Sequence, residues 1–167
     1  MVLSNFYRLV LSFVICYGIG FLGSLYAIPM LPLWYASLHK PGFIPPDPMF
    51  IPIGLFGDFL LSLALYFIWS ADPAKREDTK TALHLFLFGL ALNFLWIYAF
   101  FALKSPFLAL ITMIMLIAII LSTIFQAVRV SLPAAILLVP YFIGCIAAII
   151  INYYIYVMNP QLPLFVM

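Results

Sequence analysis

Charge is what this sequence has least of. Seven Lys and Arg and five Asp and Glu make up only 7% of 167 residues, against roughly a quarter in soluble domains. That composition excludes a soluble globular protein, and a net charge of +2 gives no electrostatic footprint for a nucleic-acid partner. Reactive side chains are equally scarce. Cys16 and Cys145 lie far apart inside apolar runs without metal-ligand spacing, and read as small packing residues that do not fix a redox compartment. His39 and His84 are single and separated. With no His pair at i, i+4, no Cys–His cluster and no Ser beside a base, metal hydrolysis and acyl transfer have no support. No lysine sits inside an apolar run, which removes a retinal Schiff base. Bis-histidine haem ligation is as weakly supported, with only His84 near a membrane and close to its surface. The lack of charged rings or polar repeats along several helices argues against an ion channel.

What the chain does have is hydrocarbon: 68% hydrophobic residues and a mean hydropathy of +1.25. Crossing a bilayer core takes about 20 apolar residues, and five runs are long enough, at about 9–28, 50–70, 81–103, 106–128 and 132–157. The fold class is therefore an all-α membrane protein, a five-transmembrane-helix bundle forming one domain over 1–167. The first run exceeds a signal-peptide core of 7–15 residues, and Pro29-Met30-Leu31-Pro32 is no cleavage site. Arg8, Lys75, Arg76, Lys80 and Arg129 fall on one side, Lys40 and Lys104 on the other. By the positive-inside rule the N-terminus is inside; whether the membrane is plasma or organellar is not resolved by sequence.

The connector 29–49 gathers aromatics, charge and rigid prolines from Trp34 to Pro46. Pro41, Pro45 and Pro46 fix their own φ and push the preceding residues toward extended geometry, so the segment is a stiff lid. Trp34 and Tyr35 either cap a cavity or sit at headgroup level as an interfacial belt.

Inside the runs, polar groups are few enough to be informative. Asp58 is the ninth residue of the second run, and Asp72-Pro73 prevents the run from sliding to expose it. A carboxylate near the bilayer centre costs on the order of 2.5–3.5 kcal/mol, so it is expected to face a cavity; the alternative is a water-reached helix cap loosened by Pro52 and Gly54. Gly89, Asn93, Trp96 and Phe100 follow helical spacing and place an amide and two rings on one inward stripe. His84 falls on the opposite face from Asn93. Gln126 lies near a helix end and is expected to be solvated. In the fifth run Pro140, Gly144, Ala148, Asn152 and Tyr156 recur every four residues, a spacing that lets a helix or a flat ligand approach closely. Gly20 and Ser24 repeat the pattern more weakly.

These residues resemble the tryptophan-rich sensory protein and translocator protein family (TspO/MBR), once called peripheral benzodiazepine receptors. Its connector pattern W-Y-x-x-L-x-K-P-x-[FW]-x-P-P runs from Trp34 to Pro46. Its A-x-N-x-x-W-x-x-x-F-F pattern is met by Ala91, Asn93, Trp96, Phe100 and Phe101, and its fifth-span pattern by Pro140, Tyr141, Ala148 and Asn152. The resemblance implies a compact bundle, often a homodimer, whose first connector lids a pocket for porphyrins and other tetrapyrroles, sterols or synthetic aromatic ligands. Its partners would be the lipid bilayer and such a hydrophobic small molecule; no cofactor is required, a porphyrin or haem-like molecule being the ligand. The pocket residues carried over are Trp34, Tyr35, Pro45, Asn93, Trp96, Phe100, Tyr141 and Ala148, with Gly54, Asp58, Gly144 and Asn152 beside them.

The departures are specific. Many members carry W-x-x-x-Y early in the second span where this chain has Gly54 and Asp58, and a tryptophan where it has Gly144. Two missing indoles imply a wider pocket and weaken the reading as a porphyrin-degrading, photo-oxidative enzyme, which keeps only Tyr35 and Trp96. The terminal sterol motif is absent, since no Lys or Arg follows Tyr156. The leading expectation is a membrane binding, transport or sensory protein for planar hydrophobic molecules. The alternatives are that enzyme and a structural assembly partner.

Overall fold

The computed structural model describes residues 2–46 and 49–162. Five helices are long and apolar enough to cross a membrane, and no strand occurs among the described residues. They are α1 (Val2–Met30), α2 (Phe50–Trp69), α3 (Arg76–Ile97), α4 (Pro106–Val130) and α5 (Leu132–Met158). The expected spans 9–28, 106–128 and 132–157 lie inside them, while 50–70 overruns α2 by one residue and 81–103 runs six residues past α3; α1 and α3 begin several residues before the apolar runs do, because a helix continues into the interface for as long as its backbone can hydrogen-bond internally.

The stops are local chemistry. Ser105 caps α4 by accepting from the Leu108 N–H, with Pro106 in the first turn where its missing donor costs nothing. Ser131, in extended conformation, is the single residue between α4 and α5. The Asp72 carboxylate accepts from Ala74 N–H to start the Pro73–Lys75 turn that leads into α3.

The helices pack in a ring, α1 on α2, α2 on α5, α5 on α4, α4 on α3, and α3 back on α1, with α2 and α3 also in contact. At the end away from the connector, Leu61, Leu65, Ile68, Phe86, Ala127 and Leu138 form the largest core. A second cluster around Met113, Leu116 and Cys145 joins α3, α4 and α5. The third core lies under the connector and includes it. Large apolar side chains such as Phe21, Phe125 and Ile143 are more than 60% exposed, as suits a surface whose solvent is lipid rather than water.

Two polar expectations change. Gln126 is not simply solvated: its Nε2 donates to the Asp78 carboxylate at 2.9 Å and to the Asp78 carbonyl, tying α4 to the start of α3. The four-residue stripe of α5 is not a helix-packing seam at its glycine either. A Cβ on Gly144 would meet nothing within 4 Å, while Asn152 on the same stripe is buried. A step of four residues overshoots a 3.6-residue turn by about 40°, so the stripe drifts round α5 from the surface at Gly144 into the bundle at Asn152.

Candidate aromatic site under the connector

The connector folds down onto the bundle. After α1, Trp34 leads a short turn at Tyr35–Ser37 that buries Tyr35 to 2% and Leu38 to 7% exposure. Trp34 is half-buried, so both rings pack against protein. Tyr35 stands edge-on to Phe50 at 5.5 Å, and Lys40 Nζ lies 4.2 Å over its ring, a cation–π contact that holds the turn closed.

The surface that receives these rings is made by a change of helix type. At its end α3 widens into a π-helical turn, Tyr98–Ala102, in which the Leu103 N–H reaches back to the Tyr98 carbonyl at 3.0 Å. The extra residue turns consecutive phenylalanines toward the lid: Phe100 lies 5.4 Å and Phe101 6.5 Å from Trp34, and 6.2 and 6.0 Å from Tyr35. Widened turns of this kind are rare and concentrate at functional sites. Lys104, at φ 52°, ends the segment and returns the chain to α4.

Below Phe100 lies Trp96, ring centroids 6.5 Å apart. Its Nε1 donates to Asn152 Oδ1 at 3.2 Å, and Asn152 Nδ2 donates to the Pro106 carbonyl at 2.8 Å. One buried amide from α5 thus satisfies the indole of α3 and fastens the start of α4, as a buried amide must. Trp34, Tyr35, Trp96, Phe100 and Asn152 therefore form one continuous ladder from the lid into the bundle. Pro45 is half-buried beside it, next to Ile44, which packs on the same core. Rings in mutual contact fill the space beneath the connector, so the arrangement is that of a closed lid.

The other expected residues fall lower. Tyr141 and Ala148 pack with Trp96 around Cys145. Asn93 is half-buried, and its amide has no hydrogen bond among the described residues. Gly54 and Gly144 are exposed with open space about them. Asp58 is half-buried and turns to α1, where its Oδ1 lies 3.0 Å from the place a Cβ on Gly20 would take. It lies within α2 and does not cap it, the N-cap being Met49. His84 is exposed, on the face opposite Asn93.

Sequence reasoning missed Asn159. It is 2% exposed and bonds the connector backbone at His39; its place before Pro160 at a helix end was the available signal.

Residues 12–158 match the sequence model of the TspO/MBR family, and the aromatic ladder is built from the residues on which the resemblance rests. The chain belongs to the TspO/MBR family. A tryptophan-rich protein TspO from Archaeoglobus fulgidus is 34% identical over 93% of this chain and 99% of its own length. The translocator protein of Bos taurus is 32% identical over 80% of this chain and 79% of its own length. The tryptophan-rich sensory protein of Cereibacter sphaeroides is 31% identical over 72% and 73%. The chain is thus a multi-pass integral membrane protein of the TspO/MBR family.

Proposed function

We propose that this TspO/MBR protein binds a planar hydrophobic molecule of the tetrapyrrole class within the bundle, under the connector, and senses it or passes it on without chemistry. The observation that carries the reading is the ladder Trp34–Phe100–Trp96–Asn152: flat rings in edge-on and tilted contact that lead down to a single buried amide. Apolar aromatic walls with one or two placed polar groups suit a broad flat ligand. Entry requires the lid to lift, since the rings now contact one another; the ligand then replaces ring–ring contacts with ring–ligand contacts of similar kind. The names of the relatives, sensory and translocator, fit uptake and release. We further propose an N-terminus inside, from the Lys and Arg distribution, and, from the family resemblance, a homodimer with no required cofactor. The membrane and a sterol as alternative ligand are left to the same experiment.

That experiment is a titration of tryptophan fluorescence in detergent or nanodiscs with protoporphyrin IX, haem and cholesterol. Saturable quenching by a porphyrin, lost in Trp96→Phe with Trp34→Phe, is expected. Failure of every one of them to quench would leave the structural-partner reading. The enzyme reading is separated by illuminating bound protoporphyrin: an unchanged absorbance spectrum is expected, and loss with a new product band would replace binding by catalysis.

A further inference from the structure

Asp58 is a carboxylate at mid-helix, about 12 Å by helical rise from the first residue of α2, too deep for a lipid headgroup to serve it. Its side chain has no salt bridge and no hydrogen bond among the described residues. The chain's cations all sit at helix ends or in connectors. An uncompensated intramembrane acid is costly and marks function.

Three features surround it. Gly20 of α1 lies directly against the carboxylate, and any Cβ there would collide with it. Gly23, one turn on, receives Ile97 of α3, so Asn93, a turn before Ile97, falls at the depth of Gly20 and brings a second unpaired polar group to the same level. Gly54, one turn above Asp58, and Gly144 on α5 leave open space where a side chain would stand. The other titratable groups facing this region are Tyr17 of α1, whose hydroxyl donates to the Leu55 carbonyl at 3.2 Å, Cys16, which bonds Ser62, and Tyr141, which packs on Gly57 and bonds Cys145. None of them carries positive charge.

We infer that Asp58 is the anchor for a cationic group on an amphiphilic organic ligand that enters by the Gly54 and Gly144 opening, with the Asn93 amide oxygen as a second acceptor. A bare metal ion is not the occupant, because one carboxylate and one amide fall well short of the six to eight oxygens a hard cation gathers. An ammonium carried on an apolar body needs only this: one negative partner at depth and apolar walls for the rest. The inference rests on the binding function proposed above and adds a second ligand class to it, a cationic amphiphile beside the anionic porphyrins.

The test uses the full chain in nanodiscs and two probes, a pyrene with a butyl-trimethylammonium tail and the same pyrene with the uncharged tert-butyl isostere. Energy transfer from tryptophan to pyrene reads binding, with protoporphyrin IX quenching measured in parallel. The wild type is expected to bind the cation at least 10-fold more tightly than the isostere. Asp58→Asn is expected to bring that ratio close to one, with the uncharged isostere still binding. Equal affinities in the wild type, which need no folded variant, overturn the inference. So does a preference that survives Asp58→Asn, and in both cases retained porphyrin quenching leaves the binding function standing. Failure of both pyrenes and porphyrin overturns the two together.

Discussion

The carboxamide of Asn159 closes on both backbone polar groups of His39: its Oδ1 accepts from the His39 N–H at 3.0 Å and its Nδ2 donates to the His39 carbonyl at 2.9 Å. The same Nδ2 reaches the Ile155 carbonyl at 2.8 Å. The end of α5 thereby holds the middle of the connector. With Trp34 and Tyr35 seated on the π-helical turn of α3, the lid is fixed at two points, one polar and one aromatic.

Asn159→Ala removes the polar point. Each bond contributes about 1 kcal/mol net, so a loss of about 2–3 kcal/mol from lid closure is expected, with little effect on the far core around Leu65 and Ile68. Amide hydrogen exchange should rise in His39–Ile44 and stay unchanged in the second half of α2. Protection retained in the connector would show that the aromatic contacts hold it alone.

Trp96 and Asn152 should differ in their tolerance. Trp96→Phe keeps a ring and deletes one hydrogen bond, a cost of about 1 kcal/mol. Asn152→Leu deletes two and strands the buried indole N–H, for about 2–4 kcal/mol. Thermal unfolding in detergent should therefore rank wild type above Trp96→Phe above Asn152→Leu.

The glycines separate into two kinds. Gly54→Trp and Gly144→Trp enter open space, and replacing a helical glycine gains a few tenths of a kcal/mol of helix propensity; unfolding temperatures should hold or rise. Gly20→Ala drives a Cβ into the Asp58 carboxylate and should cost about 1–3 kcal/mol by overpacking. Asp58→Ala in the same chain should recover much of that loss, since it removes the colliding atoms, and a double-mutant cycle reads the coupling.

Lys104 holds a left-handed conformation, φ 52°, between the π-helical turn and α4. A residue with a Cβ pays about 1 kcal/mol there. Lys104→Gly should raise stability by that amount without altering porphyrin quenching.

Much of the candidate site could be seen in the residues alone. Trp34, Tyr35, Trp96, Phe100 and Asn152 were marked by connector prolines and by four-residue helical spacing, and they meet in one ladder. Phe101 joins them only through the π-helical turn, which ordinary 3.6-residue periodicity cannot foresee. The depth and direction of Asp58 were partly legible: the apolar run put it in the membrane, but only the packing of α1 against α2 turned it onto Gly20. On the α5 stripe the spacing could be read but not the contacts: nothing in this chain stands within 4 Å of the place of a Cβ on Gly144, because regular spacing describes one helix face and says nothing of whether a neighbour stands opposite it.

The sequence by itself determined the five spans and the stiffness of the connector, since hydrocarbon demands long apolar helices with internally satisfied backbones and proline fixes local geometry whatever the surroundings. The tertiary structure decided which faces meet: the ring order of the helices, the seat of the lid, the hold of Asn159 on His39, and the open space beside two glycines. Those depend on contacts between residues up to 120 positions apart, whose formation is set by the joint packing of all five helices and by no local pattern.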